Sequence, residues 1–157
     1  FFKIEPIGNY NVKQEYFKTT SILKTSFNNG FDKFEVIDYM PRYQLKKNNY
    51  YSPPEISRIV RLVNGNPQIK IIYDPKLDYS LGESKSYVKD DFIVTVSEND
   101  NYETLYLYSN LNLNKILDSD KIELNSDLFF KISYYEKLLI PNLEDVLLEL
   151  KKHLTIG

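Results

Sequence analysis

Two charges stand where the alternation of this sequence calls for hydrocarbon, and they are the first candidates for chemistry. In the run Phe34 to Met40 every second side chain shares a face, so Asp38 falls among Phe34, Val36 and Met40. The same period from Glu55 to Val63 sets Arg58 beside Ile56, Val60 and Leu62. A bare buried carboxylate or guanidinium is costly, so each needs a partner or a shifted pKa. Paired, the two make a buried bidentate salt bridge that fixes strand order. The alternative is that both face a ligand pocket.

Other residue types point to weaker chemistry. Paired acids roughly 5 to 9 Å apart hydrolyse glycosidic bonds, and Glu83, Asp90, Asp91, Glu98 and Glu103 are available. All five sit in or beside turns among polar neighbours, the ordinary setting of solvated acids. The single histidine, His153, falls in the last turn of an expected helix, where it complements the dipole from the surface. One histidine and no cysteine exclude a multi-histidine metal cluster, a thiolate site and a cysteine nucleophile. No stretch resembles a glycine-rich phosphate loop, so no cofactor and no metal is expected. Tyr39, Tyr43, Tyr50, Tyr51 and Tyr79, with Arg42, gather near the two longest loops. Such side chains stack on sugars or pack against a neighbouring domain.

The elements that position these groups are mostly strands. Thr19 to Arg42 reads as a strand, an Asn28-Asn29-Gly30 turn and a return strand stopped by Pro41. Phe1 to Pro6 and Tyr10 to Phe17 precede it, the second a polar edge strand in which Lys13 and Glu15 discourage stray pairing. Residues 43 to 52 lack periodicity and read as a long exposed loop. Strands follow at Glu55–Val63, Gln68–Tyr73, Tyr87–Lys89, Phe92–Glu98, Tyr102–Tyr108 and Leu128–Tyr134, with weaker ones at Leu111–Ile116 and Lys121–Leu124. From Pro141 the period becomes helical. Asn142 is a cap, Glu144 and Asp145 occupy the first turn, and Leu143, Val146, Leu147, Leu150 and Leu154 recur at helical spacing. The expectation is an all-β antiparallel sandwich over 1–140, with one C-terminal α-helix over about 142–154 inside a 141–157 linker.

Bulk composition excludes several classes. The 157 residues carry a net charge of −2, so bulk charge draws the chain neither to nucleic acid nor to an anionic membrane. No apolar run approaches the roughly 18 residues of a spanning helix, and these 157 residues contain no basic-then-apolar leader. The start at Phe1-Phe2 suggests a segment of a longer protein, and a cytoplasmic one is expected.

Order and spacing over about residues 1 to 80 carry a resemblance. Thr20, Leu23, Thr25 and Phe27, then Gly30, then Asp38 to Pro41, then Arg58, Arg61 and Gly65, then Pro75, Asp78 and Tyr79 follow one another. This series resembles the N-terminal β-domain of family 15 glycoside hydrolases, the bacterial and archaeal glucoamylases and trehalases, a supersandwich. The resemblance implies an inverting, exo-acting α-glucoside hydrolase whose two catalytic glutamates lie in a helical barrel beyond Gly157. No catalytic residue is therefore expected within this chain. The implied role is support of that barrel, with an α-glucan-binding module as the alternative.

Overall fold

The core begins where β4 (Lys33–Tyr39) and β7 (Glu55–Asn64) lie side by side, with Val36 opposite Val60, Ile37 opposite Ile59 and Asp38 opposite Arg58. Each strand has buried residues on both faces, while Arg61, Val63 and Asn64 at the end of β7 are exposed. The computed structural model describes the chain except residues 1, 18–20, 41–42, 47–48, 52–54, 76–83, 98–103, 135–137, 139 and 157, and gives the backbone alone at 43–46, 49–51 and 155–156.

Around that pair an eight-stranded antiparallel sheet runs in the order β2-β3-β4-β7-β13-β11-β10-β9. The remaining members are β2 (Asn11–Tyr16), β3 (Leu23–Asn28), β9 (Ser84–Lys89), β10 (Phe92–Ser97), β11 (Thr104–Ser109) and β13 (Leu128–Tyr134). A three-stranded sheet, β1 (Phe2–Pro6), β8 (Gln68–Tyr73) and β12 (Lys121–Glu123), covers one face of it. Between these layers pack Ile4, Phe34, Val60, Ile69, Ile71, Leu107 and Phe130. Helix α2 (Leu143–Ile156) covers the other face through Val146, Leu143 and Leu150 against Ile37, Ile59 and Phe129. The architecture is therefore an all-β sandwich with a helix at its C-terminal end. Alternation explains both layers at once: Phe129 and Phe130 are each buried, but in opposite cores.

The β3–β4 turn is longer than an Asn-Gly pair. Asn28 Oδ1 accepts from the Gly30 N–H at 2.9 Å, and Asn29 Oδ1 accepts from Phe31 and Asp32 at 2.9 and 2.7 Å. The two asparagines thus act as side-chain mimics of turn backbone. Gly30 supplies the positive φ, +93°.

Three expectations change. Residues 43 to 52 are not a featureless loop: β5 (Tyr43–Lys46) and β6 (Asn49–Tyr51) pair as a two-stranded hairpin between β4 and β7. Local tyrosine-rich β-propensity suffices there without alternation. Leu111 to Ile116 is not a strand. It contains helix α1 (Leu113–Leu117), capped by Asn112, whose side chain accepts from the Asn114 N–H at 3.0 Å. Ile116 is fully buried and Leu113 and Leu117 pack beside it, the i, i+3, i+4 spacing of one helical face. The terminal helix extends to Ile156, with Asn142 Oδ1 accepting from Asp145 at 2.8 Å as its cap.

No helix among the described residues is long and apolar enough to cross a membrane.

Candidate functional site

Asp38 and Arg58 are cross-strand neighbours in the β4–β7 ladder, so backbone register alone brings them face to face. Arg58 Nε donates to Asp38 Oδ1 and Arg58 Nη2 to Oδ2, at 2.5 and 3.3 Å. A third donor, Nη1, reaches the Phe2 carbonyl at 3.1 Å, and the guanidinium lies 4.6 Å from the centre of the Phe2 ring. One side chain therefore ties two strands of the large sheet to β1 of the small one. The pair is shielded but not sealed, with 22% of the Arg58 side chain and 24% of the Asp38 side chain accessible.

Phe2 and Arg58 line two cavities between the sheets. One, of about 230 Å³, is walled by Ile56, Tyr73, Pro75, Leu105, Phe130, Ile132 and Tyr134 as well. Its described lining holds no carboxylate. The other, of about 170 Å³, adds Lys3, Ile4, Gln14, Thr25, Phe27, Val36 and Asp38. The one acid of its described lining, Asp38, is engaged by Arg58. Among the described residues, neither lining contains the two acids that glycosidic hydrolysis uses. Tyr73, beside the first cavity, has its hydroxyl out of solvent near Thr95, and burial pushes its pKa far above the ordinary tyrosine value.

Sequence patterning missed a more deeply buried polar cluster on the opposite face. Lys131 Nζ donates to both oxygens of Glu149 at 2.9 Å and faces Glu55 Oε2 at 3.2 Å. The three side chains are only 7%, 12% and 9% accessible. The Glu55 contact is ionic, without hydrogen-bond alignment at Oε2. Ser57 Oγ and the Tyr39 hydroxyl add 3.4 and 3.0 Å contacts to Glu149 Oε1, and Tyr39 also donates to the Val146 carbonyl at 2.9 Å. The available sign was Lys131 inside a mostly apolar strand, Leu128 to Tyr134, with Glu149 on the same helical face as Val146 and Leu150.

His153 belongs to this cluster and is not a surface residue. It is 6% accessible, its Nε2 3.0 Å from the Met40 carbonyl and its Nδ1 3.3 Å from the Glu149 carbonyl, with its ring against Tyr39. Position on the buried face of α2 overrides the preference of histidine for solvent. Tyr39, 2% accessible, meets α2 of its own chain and is closed to any sugar. Only the backbone is described for Tyr43, Tyr50 and Tyr51, while Arg42 and Tyr79 lie outside the described residues.

Of the acids offered for hydrolysis, Asp90 and Asp91 are exposed in the β9–β10 turn, and Glu83, Glu98 and Glu103 lie outside the described residues. Among the described residues no three His, Asp or Glu side chains gather as a metal site. Compared with protein-family models, curated proteins and solved structures, the chain has no match.

Proposed function

We propose that this chain is the non-catalytic β-domain of a glucoamylase- or trehalase-like α-glucoside hydrolase, supporting a helical catalytic domain that docks over α2. The observation that carries the reading is the two-sidedness of that helix. Its inner face is anchored to the large sheet by Val146 and by Glu149 on Lys131. Its other face leaves Leu147, Leu148 and Leu154 exposed at 38%, 54% and 44%, with Ile140 ahead of it at 56%. Leucines seven apart on a helix already packed on one side suit a second helix on the other.

The motif residues support the same reading. Asp38 and Arg58 are engaged in joining strands and layers, and Gly65 turns β7 into β8 at a φ of +75°. None is left free for catalysis. The alternative, binding of α-glucan, draws no support from Tyr39, which is buried.

The experiment assays the 157-residue chain on maltose and trehalose, then titrates it into a separately expressed helical domain encoded by the same gene. The expected result is no glucose release from the chain alone, and a higher thermal midpoint and activity of the helical domain in its presence. The L147D/L154D chain keeps its own fold and loses the effect. Glucose release by the chain alone, or a helical domain indifferent to it, refutes the proposal.

A further inference from the structure

β2 is one edge of the eight-stranded sheet, and no described strand pairs with its outer side. All six of its residues are exposed, Val12 at 57% and Tyr16 at 64%. An open edge bearing apolar side chains is a template for strand addition. Register with β3 sorts the side chains. Gln14 lies opposite Thr25 and donates to its hydroxyl at 3.1 Å, so Val12, Gln14 and Tyr16 share the side of the three-stranded layer. Asn11, Lys13 and Glu15 share the side of α2.

On that second side an alternating row of charges crosses the sheet. Arg61 stands opposite Glu35, and Lys24 bridges Glu35 at 3.2 Å and Glu15 at 3.5 Å. The row reads cation, anion, cation, anion and stops at the edge on Glu15.

We infer that β2 is the docking edge for a second copy of this chain, joined by antiparallel β2–β2 pairing about a twofold axis at Gln14. The strand is self-complementary in that register. Gln14 meets Gln14 of the second copy once, on the axis, while Lys13 meets Glu15 and Val12 meets Tyr16 twice each, as an isologous contact requires. Lys13 of the second copy supplies the next cation in the row beyond Glu15. A slip of two residues either way sets Lys13 against Lys13 or Glu15 against Glu15, and like charges directly opposite are repelled. A slip of one sets the charged side against the Val12–Tyr16 side. The two charges that turn away a mismatched strand admit this one.

Charge reversal tests the pairing. Sedimentation equilibrium of the wild-type chain across a concentration series should show a mass rising toward twice 18.6 kDa. K13E and E15K should each weaken association by about tenfold or more, since both symmetry-related pairs turn repulsive. An equimolar mixture of K13E and E15K should regain association, because each variant repairs the edge of the other. The double variant K13E/E15K should associate like the wild type. Those rescues separate lost pairing from lost folding. A wild-type chain that stays monomeric, single variants that associate undiminished, or a failed rescue overturns the inference.

Discussion

Lys131 donates to both carboxylate oxygens of Glu149 at 2.9 Å, and this contact pins the terminal helix to an inner strand of the large sheet. Glu55 closes on the same ammonium, so one cation serves two anions in a nearly dry space. The arrangement is lopsided. Removing the cation strands two carboxylates, whereas removing one carboxylate leaves a simple pair.

Lys131→Met should therefore destabilise the chain by about 3–5 kcal/mol, the range for breaking a buried ion pair from one side. Glu149→Gln should cost less, because Glu55 remains as counter-ion. Urea denaturation of both variants measures the difference, and equal losses would contradict the lopsided cluster.

Arg58→Lys keeps the charge but not the fork. An ammonium cannot bond both Asp38 oxygens and the Phe2 carbonyl while lying against the Phe2 ring, so a loss of about 1–2 kcal/mol is expected. Asp38→Asn, at a site still partly open to water, should cost about 1 kcal/mol or less. A double-mutant cycle between these positions reads the coupling, and a cycle that sums to zero would remove the pair as a link between β4 and β7.

Two turn glycines with positive φ should respond differently to alanine. At Gly30 a Cβ meets open space, so Gly30→Ala bears only the left-handed backbone cost, about 1–2 kcal/mol. At Gly65 the same atom runs into the Asp32 carboxylate and lies 2.9 Å from the Phe31 carbonyl oxygen. Gly65→Ala should lose a further 1–3 kcal/mol or so by overpacking. Thermal melts of the two variants side by side test the ranking.

Alkaline pH should unfold the chain through its buried tyrosines. Burial raises the Tyr73 and Tyr108 hydroxyls above the ordinary value of 10.0, with the Leu138 backbone partly opposing the shift at Tyr108. The folded state then holds protons that the unfolded chain releases near pH 10. Stability from these groups is intact below that pH and falls as pH rises through the folded values. Ultraviolet absorbance during base titration should show late-ionising tyrosines that appear together with loss of circular dichroism. Tyr73→Phe should move that loss to higher pH, and an unchanged alkaline limb would place the weakness elsewhere.

Much of the fold was legible before any coordinates. Period-two alternation located β4 and β7, strand-forming residues between turn signals located β8 and β13, and the Asn142 cap with its leucine repeat located α2. The misplaced charges at 38 and 58 were visible because alternation defines a face, and a charge on an apolar face stands out from one strand alone. Local chemistry determined these features, since hydrogen-bonded caps, turn asparagines and side-chain period are written within a few residues.

Contacts across distant segments were decided only by tertiary structure. Whether Asp38 and Arg58 met depended on β4 pairing with β7 past an intervening hairpin, a choice of register and neighbour that neither strand contains by itself. Likewise Lys131, Glu55, Glu149, Tyr39 and His153 come from four separate elements, β13, β7, β4 and α2, and meet only when α2 settles on the large sheet. His153 looked like a surface group because its helix turn is polar, and burial followed from which side of that helix the sheet took. The sequence by itself determined most of the strands, the turns and the terminal helix, because those depend on near neighbours. The packing of layers determined which charges became partners, because a buried ion finds its counter-charge wherever the fold brings one within reach.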